Sequence, residues 1–186
     1  MSVDSCSERP LFGGAISSAF PLRFQDVSNI RQVPDNQEVY VDPNRDESLI
    51  FELLEFKHDV PDNGSAAWFL QDLANEQDAE GFTLLEQSGV VEIRGLRYRN
   101  IPATMSTAIG QMVYLANLRL KEVGTDVLVT SYEPILINPL SETASTVGAG
   151  AAVSAAQSGF LPMVEVFKLA VSTFKVNSWS LFGPAY

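Results

Sequence analysis

The sequence predicts a single domain that mixes β-strands with two amphipathic helices, and three observations carry that reading. Its 186 residues match one domain at about 100–200 residues each. Beyond Gly81 the chain runs in short β-like stretches broken by glycines and by Pro102, the punctuation of hairpin-connected strands. Two longer stretches, residues 62–79 and 161–176, instead place apolar residues at helical spacing.

Taken in order, residues 1–9 are expected to be disordered. Residues 11–21 (LFGGAISSAFP) hold paired glycines suited to a tight backbone and end at a proline, which reads as a short extended segment. In residues 25–32 (QDVSNIRQ), Asp26 or Ser28 stands where a helix N-cap would, but Pro34 stops a helix within about two turns, so only a helical turn is expected. Residues 37–41 (QEVYV) are strand-prone and residues 42–46 (DPNRD) carry turn chemistry, together the start of a hairpin. Residues 48–56 (SLIFELLEF) are ambiguous. Leu49, Ile50, Leu53 and Leu54 fit a helical stripe, yet both alternating sets also contain apolar residues, as in a strand covered on both faces.

Residues 62–79 predict a surface helix capped by Ser65, with Ala66, Phe69, Leu70 and Leu73 on its apolar face. The β-like runs that follow are FTLLEQ, VVEIRGLRY, TMSTAIGQMVYL, LANLRL and DVLVTSYEP, with residues 123–126 (VGTD) as a hairpin turn. Residues 141–158 (SETASTVGAGAAVSAAQS) are too small-sided to bury much surface and are expected to form a flexible loop. Residues 161–176 predict a second helix with Pro162 in its first turn and Met163, Phe167, Val171 and Phe174 facing inward. The tail WSLFGPAY is expected to run extended.

Charge and composition narrow the function classes. Twelve Lys and Arg against 23 Asp and Glu leave a net charge of -11, which repels phosphate backbones and anionic lipid and favours a basic partner surface. No apolar run approaches the roughly 18 residues of a membrane span, so neither nucleic acid nor membrane is an expected partner. Cys6 is the only cysteine, so no intrachain disulfide or thiolate cluster can form, which fits a reducing compartment. The opening MSVDSCSERP lacks a signal or transit pattern, pointing to cytosol or nucleus.

Catalytic and cofactor motifs are sparse. His58, the only histidine, sits in a polar loop (FKHDVPDNG) and reads as exposed. DPNRDE lacks the spacing and glycine of a calcium loop, so no metal is expected. GAGAAV at 148–153 lacks the third glycine of a dinucleotide fingerprint, and no phosphate loop occurs, so no cofactor is expected. Glu52 and Glu55 would pair on a helix but point to opposite faces of a strand, which disfavours acid–base catalysis. An enzyme using Glu52 or Glu55 is the alternative.

The acidic N-terminal third is more informative. Asp26, Asp35, Glu38, Asp42, Asp46 and Glu47 fall where only Arg23, Arg31 and Arg45 are basic. A solvated face is the plain explanation. Asp35, Asn36 and Gln37, however, lie between a proline and a strand, so Asp35 and Glu38 would be held in a set geometry suited to Lys or Arg of a protein partner.

The strings LFGGAISSAFP, QDVSNIRQVPDNQEV and SLIFELLEF, in that order, resemble the start of the Mog family of Ran-binding proteins, the Ran guanine nucleotide release factors. TDVLVTSYEP and the final FGP also fall where that family has similar segments. The resemblance implies one α+β domain with a central antiparallel sheet flanked by helices on both faces, similar to PsbP proteins, and makes residues 48–56 a central strand. It further implies Ran as partner, release of its guanine nucleotide by binding alone, a role in nuclear protein import and a location in nucleus and cytoplasm. A second Ran-binding protein is an open addition. Asp26, Asp35 and Glu38 stand at the family's Ran-binding acids, with Asn36, Gln37, Glu52 and Glu55 in support. A PsbP-like organellar protein of the same fold is the other alternative.

Overall fold

The computed structural model describes residues 4–27, 32–76, 84–133 and 160–183. Its centre is a long antiparallel sheet. The hairpin expected at 37–56 forms its first half: β4 (Gln37–Asp42) turns through Asp46, which adopts φ 59°, into β5 (Glu47–Glu55). The two-residue β3 (Gln25–Asp26) borders β4. β5 lies between β4 and β10 (Thr125–Tyr132), so the SLIFELLEF segment is an internal strand of the sheet. Its pleat explains the ambiguous pattern, since Leu49 and Phe51 enter one core while Leu54 packs into another on the opposite face.

The second half is built from β8 (Ile101–Gly110), β9 (Val113–Leu120) and β10, with β6 (Leu84–Gln87) and β7 (Val91–Tyr98) both pairing with β8. TMSTAIGQMVYL is divided at Gln111 and Met112, and its VYL joins LANLRL as one strand, β9. Pro102 does not break β8. Pairing with β9 begins only at Thr104, so the missing N–H at Pro102 costs no bond to that neighbour. Arg99 and Asn100, both at positive φ, make the tight β7–β8 turn. Gly124, at φ 61°, closes the expected turn before β10.

A helix covers each face. α1 (Ser65–Glu76) lays Ala66, Phe69 and Leu70 on Ala108, Leu115 and Leu128. Ser65 is not the expected cap: its hydroxyl turns into the sheet, 2.6 Å from Asn117 Oδ1 and 3.1 Å from Ser106 Oγ. α2 (Met163–Ser172) covers the other face with Met163, Val166, Phe167 and Ala170. Pro162 lies just before it, and Phe174 lies beyond its end, still buried.

The α2 side also carries a small sheet of β1 (Cys6–Leu11), β2 (Ile16–Pro21) and β11 (Lys175–Val176). Residues 6–9 are therefore strand, not disordered, because β1 pairs with β2 along its whole length from Cys6 opposite Pro21. Asp4 adds an ion pair to Arg23 at 3.0 Å. The expected extended tail is not extended at residues 179–182: Trp179–Phe182 forms a 3-10 turn, and the Trp179 ring packs at a tilt against Tyr98, 5.1 Å between centroids. Of the helical turn expected at 25–32, Gln25 and Asp26 instead form β3, held by pairing with β4, while residues 28–31, like the loop at 141–158, lie outside the described residues.

Candidate partner interface

At the β3–β4 end of the long sheet, Pro34, Asp35 and Asn36 turn the chain into β4, closed by the Gln37 N–H donating to the Pro34 carbonyl at 3.0 Å. Asn36 is locked to β5 twice. Its carbonyl accepts from the Leu53 N–H at 2.9 Å, and its side-chain amide donates to the Leu53 carbonyl at 3.0 Å. Asp35 is left exposed at the tip of a turn fixed on both sides.

The alternation of β4 then sorts the acids by face. Gln37 points to the α1 side, where its amide donates to Glu52, its partner across the β4–β5 pair. Glu38 points to the other side, where its carboxylate accepts the Phe12 N–H at 2.8 Å. Phe12, Gly13 and Gly14 stand at φ 51°, 70° and 91°, a left-handed run that a bulky residue enters only when held. Glu38 is therefore half-buried and orientationally fixed.

Tyr40 follows on the same face as Glu38, buried beneath Arg9, whose guanidinium lies 5.0 Å from the Tyr40 ring centroid and 4.7 Å from that of Phe20. Asp26 sits directly opposite Tyr40 in the β3–β4 pair and is exposed. Burial pushes the Tyr40 hydroxyl up to about 12, with the charges of Glu38 and then Asp26 adding to the shift. The tyrosine thus registers the negative potential of this edge.

Of the expected residues, the fold brings Asp26, Asp35 and Glu38 to one sheet edge, with Asn36 and Gln37 as its bracing. Glu52 is on the opposite face from Glu38, and Glu55 is exposed at the end of β5, level with Thr125. Glu52 and Glu55 do not converge. The wider acidic cluster also divides: Asp42 and Glu47 are 3% and 1% exposed. Arg23 binds both, at 2.8 and 2.5 Å, and Arg45 binds Glu47 at 3.2 Å. Those acids are interior structure, not surface charge. His58 is exposed and meets the Phe56 ring edge-on.

Arg9, Phe12 and Tyr40 complete the edge but were not legible as members of it. Phe12 ahead of two glycines and Tyr40 two places after Glu38 were the available signals.

A profile of the family described as Ran-interacting Mog1 protein matches residues 9–134, a span that contains every residue of this edge. The chain belongs to the Ran-interacting Mog1 family. A Ran guanine nucleotide release factor of Danio rerio is 33% identical over 158 residues, covering 74% of this chain and 83% of that protein. A Mog1 relative of Schizosaccharomyces pombe, a nuclear import protein, is 45% identical over 71 residues, 37% of each chain. Among solved structures, the Saccharomyces cerevisiae Ran-binding protein Mog1p superposes with a TM-score of 0.62 at 23% identity, covering 97% of this chain and 100% of that one. A cyanobacterial PsbP from Synechocystis gives 0.57 at 12% identity, covering 95% of each. These two likenesses establish the Mog1 and PsbP-like α+β fold.

Proposed function

We propose that this chain binds the small GTPase Ran through the β3–β4 edge, promotes release of its guanine nucleotide and thereby supports nuclear protein import. The observation that carries the reading is the braced acidic edge, in a chain of a Ran-interacting family. Asp26 and Asp35 present carboxylates at the surface, and Glu38 is oriented beside them by Phe12. Lys or Arg side chains of the GTPase are the complementary groups. Asn36, Gln37 and Glu52 keep the turn and the first pair of β4 in place, and Glu55 adds charge farther along the same end of the sheet.

No catalytic residue is needed. A protein that binds nucleotide-free Ran more tightly than loaded Ran must weaken nucleotide binding by the same factor, and a coupling of about 1–3 kcal/mol amounts to about 5–150-fold. On this reading the protein works in both nucleus and cytoplasm.

The test is the rate at which Ran loaded with a fluorescent guanine nucleotide loses it in the presence of this protein. Asp35→Lys, which changes an exposed side chain with no described hydrogen bond, is expected to return the rate toward that of Ran alone while leaving the melting temperature unchanged. A folded Asp35→Lys protein that releases nucleotide as fast as the parent would defeat the proposal.

A further inference from the structure

We propose that the opposite edge of the long sheet, strand β7, is a second docking surface that takes an extended acidic segment of another protein as an added strand. β7 pairs with β8 on one side only; β11 and the Trp179 ring approach it, the latter at Tyr98, and no described strand pairs with its outer side. The pairing jumps from Ile93 opposite Ala103 to Arg97 opposite Pro102, leaving Arg94, Gly95 and Leu96 out of register. Leu96 turns into the core at 2% exposure, while Arg94 and Arg97 are exposed.

Arg94, Arg97 and Arg99 are three of the chain's twelve basic residues, gathered within six positions of a protein whose net charge is -11. Among the described residues, neither Arg94 nor Arg97 forms an ion pair; Arg97 reaches only the Asn100 carbonyl, at 3.5 Å. Arg99 lies over the Tyr98 ring. Glu92 is the one acid on the strand.

Apolar surface collects on the same side. Of the eight large hydrophobic residues exposed among the described residues, Leu84, Leu85, Val90, Val91 and Ile101 belong to β6, β7, β8 and the link between β6 and β7. Charged side chains are a common way to blunt an edge against pairing. Here positive charge prevails, with Arg94, Arg97 and Arg99 against Glu92, and it is flanked by Val91 and Ile101, so the edge disfavours basic strands while matching a strand that alternates acidic and apolar residues.

A long polyanion is the weaker fit. Nucleic acid or an anionic membrane extends beyond the arginines and meets the acidic remainder of the surface, whereas a segment of a few residues ends with them. The acidic β3–β4 edge lies at the other end of the strand order, so both surfaces can be occupied at once.

The experiment uses a fluorescein-labelled octapeptide alternating Glu and Val, followed by anisotropy. Binding is expected to weaken by about tenfold or more in Arg94→Glu/Arg97→Glu. The double Lys variant is expected to bind within about threefold of the parent, since charge is kept and only exposed pairs are altered. Amide shifts on binding are expected along β7, and Ran nucleotide release is expected to stay unchanged in both variants. Equal binding by the parent and the double Glu variant overturns the proposal. So does equal binding of a peptide whose Val residues are replaced by Pro, which cannot donate main-chain bonds. Tighter binding of oligo-dT or phosphatidylserine vesicles than of the peptide, or self-association that the double Glu variant abolishes, overturns it too.

Discussion

Glu38 has two roles that one pair of substitutions separates. Its carboxylate accepts the Phe12 N–H at 2.8 Å, and its charge belongs to the acidic edge. A hydrogen bond to an ionised group contributes about 1.5–3 kcal/mol, and a neutral one about 0.5–1.5 kcal/mol. Phe12 is half-buried, so the lower part of each range applies. Glu38→Ala removes the acceptor from a turn in which three successive residues hold positive φ and is expected to cost about 1.5–2 kcal/mol. At about 2–4 °C per kcal/mol for a chain of this size, the melting temperature falls by about 3–8 °C.

Glu38→Gln keeps an oxygen for Phe12 and is expected to cost at most about 1 kcal/mol, or about 2–4 °C. Both variants lose the charge, so both are expected to lose Ran nucleotide release to a similar degree. Thermal melts by circular dichroism and release of fluorescent nucleotide, run on the same preparations, read the two roles apart. The reasoning is refuted if the Gln variant melts as low as the Ala variant, or if it releases nucleotide at the parental rate.

Tyr40 and Tyr114 are each expected to titrate above the ordinary tyrosine value in an ultraviolet absorbance titration. Burial pushes each hydroxyl up to about 12, helped by Glu38 and Asp26 at Tyr40 and by Glu133 at Tyr114. The native state then holds protons that the unfolded chain loses near 10.0, so their contribution to stability is complete below pH 10 and is lost as pH rises toward 12. Titration of either near its ordinary value in the folded protein would contradict the packing. Arg119→Met should cost about 3–5 kcal/mol, because it leaves the fully buried Asp126, now paired at 2.9 Å, with the Asn117 amide and Lys57 N–H but no counter-charge. Denaturant unfolding checks it, and Arg119→Met/Asp126→Asn should recover part of the loss. Arg119→Lys should also destabilise, since one ammonium cannot replace the bonds the guanidinium makes to Asp126, Val60 and Lys57.

Where local chemistry was sufficient, the sequence was readable. Residues 37–46 paired strand propensity with Pro and Asn turn chemistry, and the hairpin formed there. Residues 62–79 kept their apolar face at helical spacing, and α1 buries Ala66, Phe69 and Leu70. Where the answer depended on distant partners, it was not. Ser65 reads as a cap because a hydroxyl at a helix start commonly serves its own backbone; here Asn117, 52 positions away, takes it. Residues 6–9 have no strong pattern of their own and are strand because β2 supplies the hydrogen bonds. The acidic cluster was visible as composition, but the assignment of Asp42 and Glu47 to the interior rests on Arg23, which is brought to them by the fold.

Local residue pattern suffices for the alternation of β4, which sends Gln37 and Glu38 to opposite faces, for the proline-led turn that exposes Asp35, and for the resemblance to the Mog family. Which acids remain at the surface, and the Phe12 backbone N–H that holds Glu38, emerge only on packing. The difference is one of range. Backbone preference and side-chain alternation act between near neighbours in the chain, whereas burial and pairing of charge depend on groups that meet only after β1, β2 and the long sheet have packed together.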